Sequence, residues 1–195
     1  MNNSTIHMWF PTSIYEAKEI ISREENEKLV KTSLDIREKI PSGGENWNCN
    51  IYNTLETHDL VNDNNFQNLI NVITQHVDEY IRAHGSDHKY KCFEGWINVG
   101  STGTYQEFHT HPNSTISAVY YAKMPEGGGS IVFENPVEPD MLPIKGIKED
   151  NNLNFKSAKY NPDQGTLLLF RSYLRHMVMV GTNNDPRITF AFNFN

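Results

Sequence analysis

Two periodicities divide the chain. Up to about residue 89 apolar residues recur at three-to-four spacing; from Tyr90 onward they alternate with polar ones in short runs. Phe66, Leu69, Ile70, Ile73, Val77, Tyr80 and Ile81 form one helical stripe. Asp63 is the expected N-cap of that helix, and Gly85 sits where a C-terminal cap belongs. An earlier helix is predicted from Ser22-Arg-Glu-Glu25, a capping-box pattern, to about Ile40, with Pro41-Ser-Gly-Gly44 as its stop. Residues 6–15 carry β-formers interrupted by Pro11, which suits an edge strand because proline has no N–H for a ladder. Residues 45–53 read as extended, and Leu55 to Asn62 as a loop.

The second region reads as strands at roughly 90–99, 104–110, 115–123, 129–134, 155–160, 165–171, 176–181 and 186–194, separated by Gly, Pro, Asn and Asp. Many short strands of this kind predict a mainly β fold with flanking helices, a jelly roll with two N-terminal amphipathic helices packed on its larger sheet. One domain is expected, with 1–89 as helical support and edge strands and 90–195 as the core. Residues 135–154, rich in Pro, Asp, Asn and Lys, interrupt the strands as a long loop, a candidate lid together with Leu55 to Asn62.

The last run is the most informative for the fold. Arg187, Thr189, Ala191 and Asn193 share one face, and Ile188, Phe190, Phe192 and Phe194 share the other. An inner face that is polar and small, backed by an aromatic outer face, fits a barrel that holds a polar ligand while helices cover its outside. Arg187 then projects into the cavity.

Composition narrows the partners. A chain of 195 residues can bury a substantial core, and 37% hydrophobic with 11% aromatic content is that of an ordinary globular protein. A net charge of −7 and a pI near 5.6 argue against nucleic acid or an anionic membrane as main partner, although Arg171 and Arg175 allow a local basic patch. No signal-peptide pattern or membrane-length apolar run is present, so a soluble, cytoplasmic protein is expected. Cys49 and Cys92 form no CxxC and are expected simply to pack. Gly127-Gly-Gly129 predicts a tight hairpin; no Lys-Ser/Thr helix follows to make a phosphate loop.

Candidate chemistry centres on Tyr105-Gln-Glu-Phe-His-Thr-His-Pro-Asn113. Two residues apart on a strand, His109 and His111 point to the same side. His176, which follows one predicted strand and opens the next, is the expected third ligand, and imidazoles of this kind suit iron, zinc, copper or nickel. His7, His76, His84 and His88 read as surface or helix-end histidines.

These pieces together resemble the iron(II)- and 2-oxoglutarate-dependent dioxygenases, in particular the prolyl-hydroxylase-like branch and the phage and bacterial group of 2-oxoglutarate oxygenases. The matching segments are Trp96-Ile-Asn-Val99, Tyr105 to Pro112, Ser117-Ala-Val-Tyr-Tyr121, Gly127 to Phe133, Gly165-Thr-Leu-Leu-Leu-Phe170, His176 and Arg187 to Asn193, in order over about 90–195. The resemblance implies a double-stranded β-helix, Fe(II) held by His109 and His176, and 2-oxoglutarate held through its distal carboxylate by Arg187 with Thr189 beside it. An arginine fork matches a carboxylate bidentately and keeps its charge. Tyr121 and Asn98 fall where the family places groups near the cosubstrate. The implied chemistry is oxidative decarboxylation of 2-oxoglutarate to succinate coupled to hydroxylation of a peptidyl or small-molecule substrate.

The sequence departs from the family pattern at one place. His111 stands where the usual His-x-Asp/Glu motif has its carboxylate. His111 can ligate directly, the position can be left to water or chloride with His111 turned away, or the motif can shift to His111 and Asn113. Strand alternation favours the first. Three histidines also suit zinc. A cupin-like three-histidine enzyme that does not use 2-oxoglutarate would bind metal but not need Arg187 for a cosubstrate. A non-enzymatic β-sandwich binding or structural module would need neither His109 nor His176.

Overall fold

A computed structural model describes residues 4–43, 48, 51–137 and 144–195. The predictions for Gly44, for residues 45–47, for Cys49 and for the middle of the 135–154 loop lie outside the described residues.

In chain order the elements are β1 (Ile14–Ala17), α1 (Arg23–Lys39), β2 (Tyr52–Asn53), a 3-10 turn (Leu60–Asn62), α2 (Gln67–Ala83), β3 (Cys92–Gly100), β4 (Gln106–His109), β5 (Ile116–Lys123), β6 (Ile131–Glu134), β7 (Ser157–Tyr160), β8 (Leu167–Arg171), β9 (His176–Val178) and β10 (Arg187–Phe194). They build two antiparallel sheets: a larger one in the order β1-β8-β5-β10-β3-β2 and a smaller one in the order β4-β9-β6-β7. This is the predicted jelly roll, and each predicted strand of the second region is present, with ends that differ from the expectation by at most three residues.

Strand β10 is its centre, hydrogen-bonded to β3 on one side and β5 on the other and buried along its whole length. The two faces of β10 separate as the alternation requires. Ile188, Phe190, Phe192 and Phe194 join Leu69, Ile73, Val77 and Ile81 of α2 and Leu29 of α1 in one apolar cluster, with Phe66 edge-on to Phe190 at 5.2 Å between ring centroids. Each phenylalanine so buried contributes roughly 1.5–3 kcal/mol from area alone. Arg187, Thr189 and Ala191 face the space between the sheets. A second cluster of Tyr121, Ile131, Phe133, Leu168, Phe170 and Leu174 packs between the sheets beside that space.

Helix α1 is also tied to the sheet by a polar contact. The buried Asn26 donates through Nδ2 to the Ala122 carbonyl at 2.9 Å and accepts at Oδ1 from the Tyr120 hydroxyl at 2.8 Å. Its start is as predicted in part: Ser22 Oγ accepts from Glu25 N at 3.2 Å, while the Glu25 carboxylate accepts from Asn68 of α2 at 2.6 Å. Gly85, at φ 79°, ends α2 in a Schellman turn, with Ser86 N donating to Ile81 O and Gly85 N to Arg82 O.

Three expectations shift. Asp63 is not the N-cap of α2. Its carboxylate accepts from Asn65 N at 2.9 Å and faces His58 Nε2 at 2.9 Å, which holds a tight turn, and the helix starts after Phe66. The N-terminal strand does lie at a sheet edge, but it begins at Ile14, since Pro11 cannot donate and Phe10 sits at φ 62°. Finally, the Leu55 to Asn62 loop contains the 3-10 turn, capped by Asp59 Oδ1 on Val61 N at 2.9 Å.

Candidate functional site

Strand β4 brings His109 opposite His176 of β9 as a directly paired residue. Between Gln106 and His109 the register slips, three steps on β4 matching two on β9, a bulge that re-aims the end of the strand. His111 is past the end of β4, not on it, which corrects the alternation argument. What brings it back is a backbone bond, His111 N to Ser172 O at 3.1 Å, before a turn at Asn113 with φ 65°. The rings nonetheless converge: centroids lie 4.2 Å apart for His109 and His176, 5.2 Å for His111 and His176, and 5.4 Å for the nearly parallel His109 and His111. One ring nitrogen from each falls within 4.8 Å of the others.

The hydrogen bonds on the other nitrogens decide which atoms converge. His109 Nδ1 meets the Glu107 carbonyl at 2.7 Å and His176 Nδ1 the Leu174 carbonyl at 2.9 Å. His111 Nδ1 meets Asn193 Oδ1 at 2.7 Å. Each of those oxygens accepts only, so each Nδ1 carries the hydrogen and each Nε2 keeps its lone pair for the centre. Burial lowers the pKa of all three rings below the ordinary histidine range, to about 4 for His111 and well below the usual value for His176, where proximity to His109 and His111 adds to burial. Neutral imidazoles with inward Nε2 atoms are what a metal ion needs at neutral pH, and this donor set fits one.

The same cavity is lined by Asn98, Tyr121, Arg187 and Thr189, so the structure brings every sequence-predicted site residue to one space. Arg187, 4% exposed, lies on the inner face of β10 and donates from Nη1 to the Gly128 carbonyl at 3.1 Å. That carbonyl belongs to the glycine-rich turn between β5 and β6, where Gly127 and Gly129 adopt φ 76° and 80°. Burial raises the pKa of the Tyr121 hydroxyl, so it stays a neutral donor. Asn98 Oδ1 accepts from Asn53 Nδ2 at 2.7 Å, which fixes its amide toward β2.

Sequence reasoning missed Trp96 and Gln106, which also line the cavity, and Asn193 as a partner of His111. Position two before Asn98 on β3 was the available signal for Trp96, and the inner-face alternation of β10 was the signal for Asn193. The basic patch is largely satisfied: Arg175 pairs with Glu134 at 2.8 Å and lies over the Phe108 ring, and Arg171 lies over Tyr173. The helix-end histidines are structural. His76 bonds Tyr15, His84 bonds Ser13 and the Tyr80 carbonyl, and His7 is exposed.

Residues 94–193 match the family model described as "Putative 2OG-Fe(II) oxygenase". No curated protein matches the chain by sequence. Among solved structures, a Pseudomonas putida prolyl-4-hydroxylase is 12% identical with a TM-score of 0.65 over 94% of this chain and 92% of its own. A Trichoplax adhaerens prolyl hydroxylase, in complex with a hypoxia inducible factor peptide fragment, is 15% identical with a TM-score of 0.62 over 93% and 82%. HygX from Streptomyces hygroscopicus, with nickel and 2-oxoglutarate bound, is 12% identical with a TM-score of 0.61 over 94% and 83%. At these identities the likeness is one of fold. No described helix is long and apolar enough to cross a membrane.

Proposed function

Because the chain belongs to the 2OG-Fe(II) oxygenase family, a family of 2-oxoglutarate-dependent dioxygenases with iron(II) and 2-oxoglutarate as cofactors, we propose that His109, His111 and His176 hold the iron and that Arg187 anchors the cosubstrate. The observation that carries this reading is the convergence of His109, His111 and His176, one ring nitrogen of each within 4.8 Å of the others, with each Nδ1 held by an oxygen acceptor. Bound iron supplies activation of dioxygen coupled to decarboxylation of 2-oxoglutarate.

The chain's residues do the rest. His109, His111 and His176 would hold the iron beside the cavity wall that carries Arg187 and Thr189. Arg187 and Thr189, on the same face of β10, receive the distal carboxylate, with the Tyr121 hydroxyl as a further donor and Asn98 beside them. Trp96, Val119, Ile131, Val178 and Ala191 limit water around the reacting groups. The substrate is a peptidyl side chain or a small molecule that is hydroxylated; the prolyl hydroxylases among the structural relatives, one of them seen with a peptide, support the peptidyl choice. The chain works as one unit, in which 1–89 supports the core of 90–195.

Calorimetry of 2-oxoglutarate binding, under anaerobic conditions with Mn(II) in place of iron, tests the assignment. Wild type binds. Arg187→Ala loses two charge-assisted hydrogen bonds, about 3–4 kcal/mol, and weakens binding by roughly 10²–10³-fold. Absence of binding by the wild type would overturn the proposal.

A further inference from the structure

We infer that Asn193 and Glu94 are positioning residues that hold His111 in its metal-binding tautomer and couple it to a carboxylate outside the ligand set. The inference rests on the reading that His111 ligates the metal.

Three residues on adjacent strands stand in one row of the large sheet: Glu94 on β3 and Ser117 on β5 each pair directly with Asn193 on β10. Asn193 Nδ2 donates to Glu94 Oε2 at 2.6 Å. A carboxylate accepts and does not donate, so this bond sets the amide orientation and turns Asn193 Oδ1 toward His111. Oδ1 then accepts from His111 Nδ1 at 2.7 Å and from Ser117 Oγ at 3.1 Å, while Ser117 Oγ lies 3.0 Å from the same Nδ1 and 2.8 Å from Ser172 Oγ. Asn193 is 3% exposed, Ser117 and Ser172 are enclosed, and Trp96 lies 5.5 Å from the His111 ring, so the bonds around His111 are shielded from water, while the half-buried Glu94 closes the row at its outer end.

The chain Glu94, Asn193, His111 therefore has one sense throughout. Acceptor, amide and imidazole are ordered so that the hydrogen must reside on Nδ1 and the lone pair on Nε2. His109 and His176 obtain the same result from carbonyls two residues back along the chain, Glu107 on β4 and Leu174 in the turn before β9. His111, beyond the end of β4, has no such local carbonyl bond and takes its orientation from the opposite side of the barrel. Glu94 is the carboxylate joined to the neutral His111 by this chain. Its charge polarises the amide and makes His111 Nε2 a stronger donor to a dication, as carboxylates behind metal-bound histidines do.

The test uses Co(II) as the metal and the full chain. Long-range proton–nitrogen NMR of the metal-free protein reads the His111 tautomer, and Co(II) titration reads affinity and the visible absorption of the ligand set. Wild type should show hydrogen on Nδ1. Asn193→Ala should release the ring to mixed tautomers, weaken Co(II) by 10–100-fold and shift its absorption. Glu94→Gln, which keeps an acceptor for Asn193 and removes the charge, should keep the tautomer and weaken Co(II) several-fold. The double variant N193D with E94Q, which moves the carboxylate into contact with His111 and preserves each hydrogen bond, should restore or exceed wild-type affinity. An unchanged tautomer and Co(II) affinity within twofold in Asn193→Ala would overturn the proposal. If that variant does not fold, Glu94→Gln and the double variant decide, and affinities within twofold of wild type in both would overturn it. His111→Ala separates the two readings. Wild-type Co(II) affinity and absorption there would remove His111 from the ligand set, whereas loss there with no effect in the Asn193 and Glu94 variants would refute the relay alone.

Discussion

The acid sensitivity of the metal-free protein follows from the same histidines. Each ring of His109, His111 and His176 is buried neutral, with its pKa below that of a histidine in the unfolded chain, near 6.5. Between the folded and unfolded values the unfolded chain binds protons that the folded one refuses, so stability is complete above about 6.5 and falls as pH falls. For His111 the window runs from there down to about 4. From pH 6 to pH 5 the unfolded chain holds nearly one more proton at His111 than the folded chain, about 1 kcal/mol, and His109 and His176, lowered in the same direction, add to it. Most carboxylates stay ionised in that interval, so the slope belongs chiefly to histidine. Urea unfolding of chelator-treated protein at pH 6 and 5 measures it. His111→Asn should reduce the difference by about 1 kcal/mol, because it removes one proton acceptor. A wild-type difference below about 1 kcal/mol would refute the picture of three neutral, desolvated rings.

Other perturbations test the frame that holds the site. Phe190→Ala opens a cavity under Phe66 and Tyr120 and should cost about 3–5 kcal/mol in urea unfolding. Asn26→Ala leaves the buried Tyr120 hydroxyl without its acceptor and should cost about 1–3 kcal/mol in the same assay, with 2-oxoglutarate affinity unchanged because Asn26 is on the helix side of the sheet. Loss of the three-ring convergence should be visible in His176→Ala, which should abolish stoichiometric Mn(II) binding by calorimetry while leaving the far-ultraviolet circular dichroism of the sheets intact.

Local pattern carried much of this protein. The stripe from Phe66 to Ile81 and the alternation from Arg187 to Phe194 are properties of neighbouring residues, because an apolar side chain leaves water wherever its element turns it. They therefore foretold α2, β10, the aromatic face under the helices and the polar face in the cavity. Turn chemistry was less legible. Asp63 is a good cap by type, yet it closes a turn with Asn65 and His58, and only the contacts around it decide between those uses.

The motif from Tyr105 to Asn113 shows the boundary most clearly. Its two histidines, with His176 and Arg187, could be picked out by residue type and spacing, since metal and carboxylate recognition need those groups. Their convergence could not be derived from spacing, because β4 stops at His109 and His111 returns to the centre through Ser172 of another strand end. Nor could the tautomers, which depend on acceptors supplied from 82 residues away in the case of Asn193 and His111. Residue types set the available donors and the faces they occupy; strand register across β3, β10 and β5 decided which lone pairs meet, because a hydrogen bond depends on distance in space and not along the chain.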